Sequence, residues 1–103
     1  MLLNYRPAYN ISLKNVIEYS IDTFGERVAT EFKNEILQKV NRLRTMPDMY
    51  AKCRFIESND LITFRNIIIR NYLIIYAVTA EEITVIDIIH GSISPENMKN
   101  RIE

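Results

Sequence analysis

The side chains best able to do chemistry in this chain are one histidine and a group of cations. His90 is the only histidine, and an imidazole titrates close enough to neutral pH to act as a general acid or base. Arg65 and Arg70 lie within and at the end of an apolar run. An arginine there must reach solvent or a partner carboxylate, because burying it unpaired is costly. With Lys39, Arg42, Arg44, Lys52 and Arg54 they concentrate positive charge in the middle of the chain, whereas no Lys or Arg stands between Asn71 and Met98. Such cations can offset the charge of a phosphate or meet an acidic partner. Each also has a plainer role: His90 as a hydrogen-bonding side chain at a strand end, Arg65 in an internal ion pair or on a solvated edge, and Arg42, Arg44, Lys52 and Arg54 as a solvated rim around the loop after Pro47. Cys53 has no second cysteine to pair with, and neither it nor His90 belongs to a spacing that holds a metal, so neither a metal nor any other cofactor is expected.

The 103 residues suffice for one domain spanning 1–103, with 48% hydrophobic and 25% charged residues, a balance ordinary for a soluble globular protein. A formal net charge of zero argues against a dedicated nucleic-acid binder, whose affinity rests on neutralising phosphates. No stretch reads as a transmembrane span. The opening MLLNYRPAYN is interrupted by Arg6 and Pro7 too early for the apolar region of a signal peptide, so the expected location is the cytoplasm, with no membrane partner.

These side chains must be positioned by a short list of elements. Asn4 to Ile11 reads as a first strand, with Pro7 at an edge or entry position. Ser12 reads as the N-cap of a helix whose stripe is Leu13, Val16, Ile17, Ser20, Ile21 and Phe24, and Gly25 as its stop. A second stripe, Val28, Phe32, Ile36, Val40 and Leu43, predicts another helix, ended before Pro47. Residues 46–59 read as a loop with room for a short strand around Lys52 to Ile56. Three β-branched runs follow, Ile62–Arg70, Tyr72–Val78 and Ile83–Gly91. They are joined by a tight turn in which Asn71 would take the left-handed backbone and by the turn Ala80-Glu81-Glu82. The expected architecture is α+β: an N-terminal strand, an antiparallel helical hairpin, then a three- to four-stranded antiparallel sheet. The hairpin must cover one sheet face. Alternation puts Tyr72 and Tyr76 beneath it and Leu73, Ile75 and Ala77 on the other face, which is left available.

That order of elements, with Pro47 after a long second helix, the run IIRNYLIIYAV over 68–78 and the run ITVIDIIHG over 83–91, resembles the RelE/ParE family of bacterial toxins across nearly the whole chain. The resemblance implies a small toxin neutralised by a cognate antitoxin. RelE-like members cut messenger RNA on the ribosome with basic residues on the concave sheet face; ParE-like members lack that set and, where a target is known, inhibit DNA gyrase. RNA cleavage needs a group to activate the ribose hydroxyl, a donor for the leaving oxygen and cations for the phosphate. Many members resembling this chain carry arginine where it has Leu73, Ala77 and Asp87, and often continue past the His-Gly pair with arginine where it has Ser92-Ile93-Ser94. An aspartate beside a reacting phosphate repels it.

The resemblance therefore implies the ParE-like branch: a toxin that binds a protein target such as DNA gyrase, without chemistry of its own. The cognate antitoxin would lay an amphipathic helix against the helical hairpin and the open sheet, over Leu73, Ile75 and Ala77, with Arg42, Arg44, Lys52 and Arg54 at the rim, and the two would form an oligomer. One alternative is a RelE-like, ribosome-dependent mRNA endoribonuclease using Arg65, Arg70, Lys52, Arg54 and His90 in a shifted arrangement. Another is a non-toxic, degenerate binding module of the same fold. Lys99 and Arg101 fall on a tail to which the sequence reading assigns no position.

Overall fold

A computed structural model describes residues 1–102. Its elements are β1 (Leu2–Tyr5), α1 (Pro7–Phe24), α2 (Glu26–Arg42), β2 (Thr63–Ile69), β3 (Tyr72–Val78), β4 (Glu82–His90) and α3 (Pro95–Ile102). The α+β order is as expected, but the first strand is shorter and earlier than the sequence suggested. Pro7 opens α1 rather than lying in a strand, because at the first helical position its missing N–H is no loss and its fixed φ is already helical. Ser12 therefore sits inside the helix, not at its cap. The buried stripe begins a turn earlier, at Tyr9, and runs on through Leu13, Val16, Ile17 and Ser20.

Gly25 ends α1 and starts α2, with φ 91° and ψ 167°, a backbone conformation that favours glycine. Its N–H closes α1 on the Ile21 carbonyl at 2.9 Å and its carbonyl accepts the N–H of Ala29. Glu26 in the first turn of α2 and Lys39 and Arg42 in its last match the helix dipole at both ends.

The sheet is mixed, in the order β1-β4-β3-β2. The β2–β3 and β3–β4 pairs are antiparallel, while β1 lies parallel to β4 with Leu2 opposite Glu82 and Tyr5 opposite Val85. In the β2–β3 turn it is Arg70, not Asn71, that takes the left-handed backbone, at φ 52°. In the loop after α2, Lys52 makes an isolated bridge with Arg65, so the expected short strand is reduced to one ladder position flanked by Cys53 N–H to Phe64 O and Asn66 N–H to Ala51 O.

The helical hairpin packs on one sheet face. Tyr9, Phe32, Ile36, Val40 and Leu43 meet Leu3, Ile67, Ile69, Ile74, Tyr76, Ile83, Val85 and Ile88, each large apolar side chain contributing about 1.5–3 kcal/mol by leaving water. Between Ile75 and Tyr76 the β3–β4 register shifts, so that Ile75 faces Asp87 while Tyr76 faces Val85 and Ile86 is left over. This bulge reverses the alternation along β4. Ile83, Val85 and Ile88 point to the hairpin, while Ile86 and Ile89 join the opposite face. Asp87, opposite Ile75, goes with them. Among the described residues no helix is long and apolar enough to cross a membrane.

Candidate functional site

The sheet face away from the hairpin was expected to be open over Leu73, Ile75 and Ala77. The structure corrects this. Ile75 is fully buried and Leu73 and Ala77 are partly so, in a second core with Cys53, Ile56, Ile86, Ile89, Met98 and Ile102. The cover is the chain's own C-terminus. Ser94 caps α3, its Oγ accepting the N–H of Asn97 at 3.2 Å, a favourable N-cap chemistry. Met98 and Ile102, one helical turn apart, then reach down onto the sheet, 1% and 6% exposed.

Polar contacts fix this helix at its far end. Arg101 Nη2 lies 2.9 Å from Asp87 Oδ2 and 3.2 Å from Ser12 Oγ on α1. Arg6 Nη1 donates to the Ile102 carbonyl at 3.2 Å. Asp87 has a side chain only 3% exposed, and its other oxygen accepts the N–H of Ile88 at 2.8 Å. The sequence reading missed Arg101. Its signal was the Ser94-Pro95 helix start followed by Met98 and Ile102 at helical spacing.

The sequence-picked cations do not gather at one point. Arg65, expected to find either solvent or an internal partner, turns to the hairpin side, where Nη1 donates to the Tyr50 carbonyl at 2.7 Å and Nη2 lies 3.7 Å from Asp48. It ties the loop after α2 to the sheet. Arg70, at the opposite end of β2, lies over the Phe32 ring at 4.6 Å and 3.5 Å from Glu35. At about 3.3 Å per strand residue, the two arginines are too far apart to serve one phosphate. Arg42 and Arg44 remain at the end of α2, Arg44 Nε donating to Asn41.

Two surface hollows collect the others. Lys52 and Arg54 line one of about 200 Å³ with Asn66, Ile68 and Leu73; Arg70 and His90 line another with Tyr72, Ser92 and the same Ile68 and Leu73. Ile68 and Leu73 thus form the rib between them. His90 Nδ1 accepts the backbone N–H of Ser92 at 3.1 Å and lies 2.7 Å from the Ser92 hydroxyl, while its ring meets Tyr72 edge-on at 5.3 Å. Nδ1 is thus occupied by Ser92. Among the described residues no three His, Cys, Asp or Glu side chains come together in a metal-holding group.

The chain matches the family model described as the ParE toxin of the type II toxin-antitoxin system parDE, over residues 3–95. Among solved structures, it is similar to a chain of the chromosomal ParDE TA system from P. aeruginosa. The two share 16% sequence identity and superpose with a TM-score of 0.70 over 87% of this chain and 95% of the other. No curated protein matches the sequence significantly.

Proposed function

Because the chain belongs to the ParE toxin family of type II toxin-antitoxin systems, we propose that it is a toxin that acts by binding a protein target such as DNA gyrase and is neutralised by a cognate antitoxin. The observation that carries the binding reading is Asp87. Its carboxylate lies on the sheet face opposite the hairpin and takes up the Arg101 guanidinium at 2.9 Å, leaving that cation unavailable to a phosphate. The other candidates agree with it. Arg65 is taken up by the loop, and His90 offers no free lone pair from its bonded nitrogen. The antitoxin lays an amphipathic segment over Leu73, Ile75 and Ala77, with Lys52 and Arg54 at the rim. Since α3 already covers that face, the segment takes the place of α3.

The test is induction of the protein alone in its host, and again with the neighbouring gene. We expect growth arrest with filamentation and DNA damage while translation continues, relieved by the neighbour. Rapid loss of translation with cut messenger RNA would replace this reading with a ribosome-dependent endoribonuclease. Unimpeded growth would leave only a non-toxic binding module.

A further inference from the structure

Asp87 is the one buried charged residue among the described residues, and its ion-pair partner, Arg101, belongs to the short helix α3. An eight-residue helix cannot hold its own conformation in water, so α3 persists because Met98 and Ile102 are docked and because Arg101 meets Asp87. Whatever replaces α3 on this face inherits the carboxylate. A replacement that covers it without a cation leaves a buried, unpaired charge, a large penalty, and one that brings its own carboxylate does worse. Ser12, the other polar group beside Arg101, is neutral and cannot stand in.

Resting on the antitoxin reading above, we infer that Asp87 selects the partner: the antitoxin segment that displaces α3 carries two apolar side chains one helical turn apart and a cation beside the second, repeating the pattern of Met98, Arg101 and Ile102. Asp87 is then a specificity residue. It admits segments of that form and rejects otherwise similar apolar ones, a discrimination made by the cost of the wrong partner rather than by new attraction.

The experiment titrates the product of the neighbouring gene into the chain and into two variants, Arg101→Gln and Arg101→Gln/Asp87→Asn, each first shown by circular dichroism to be folded. Arg101→Gln weakens only the closed state, in which it strands Asp87, so the partner binds more tightly than to the wild type. Adding Asp87→Asn removes the stranded charge from the closed state and strands the partner's cation in the complex, so affinity falls roughly tenfold or more below that of Arg101→Gln. Equal or tighter binding by the double variant overturns the cation requirement, while leaving the displacement of α3 intact. Unchanged binding by Arg101→Gln shows instead that α3 is not displaced, and absence of binding to the wild type removes the antitoxin reading itself.

Discussion

Tyr76 donates its hydroxyl to the Pro47 carbonyl at 2.9 Å, whereas the Tyr9 hydroxyl, buried on the same side of the sheet, has no partner among the described residues. Removing a satisfied hydroxyl leaves a carbonyl without its donor; removing an orphaned one takes away a desolvation cost. Tyr76→Phe should therefore lower stability by about 1 kcal/mol and Tyr9→Phe should raise it by about the same amount, and urea denaturation of the two variants measures both. A fall with Tyr9→Phe would mean that its hydroxyl is satisfied in solution. At this scale the sequence was legible where a side chain's needs are local. An arginine in an apolar strand had to find a partner, and Arg65 found the Tyr50 carbonyl and Asp48. For Asp87 alternation alone misleads, and only the family resemblance set it beside Leu73 and Ala77. Strict alternation places that residue with Val85, beneath the hairpin; only the bulge at Ile86 turns it to meet Arg101.

Among the elements, the helical hairpin was readable because Gly25 is both a stop and a start. A Cβ built there meets nothing within 4 Å, so the demand for glycine is wholly one of backbone. Gly25→Ala should cost about 1–3 kcal/mol from strain alone, seen as a lower thermal midpoint; an unchanged midpoint would show that the hairpin can be redrawn around a different backbone. The start of α1 was misread because Pro7 suits a strand edge as well as a first helical turn, and only the stripe beginning at Tyr9 decides between them. The third helix was missed for a different reason. Two apolar residues, Met98 and Ile102, give too little periodicity to stand out, and their burial depends on a sheet face that the chain completes elsewhere.

The molecule as a whole has an alkaline limit built into its hairpin-side core. Burial pushes the phenol of Tyr9 up to about 12, with Tyr5 adding to the shift. Burial likewise raises Tyr76 to about 12, against a smaller lowering by Arg65. A folded-state value above the unfolded one, about 10, means that the neutral phenol favours the fold. That contribution is complete below about pH 10 and is lost as pH rises toward 12, on the order of 2–3 kcal/mol for each group. Urea midpoints followed across that range should fall, and fall less steeply in Tyr9→Phe; a flat profile would show that both rings reach solvent before they ionise.

The pairing of Leu2 with Glu82 has a consequence in time. On the ribosome, β1 emerges first and has no neighbour until β4 is made, 80 residues later by that register. At about 5–20 residues per second, this is an interval of roughly 4–16 s. Throughout it the sheet lacks one of its edges, and α3, which follows β4, has not yet closed the other core. A growing chain thus leaves Leu73, Ile75 and Ala77 without their cover until α3 has emerged and docked on them.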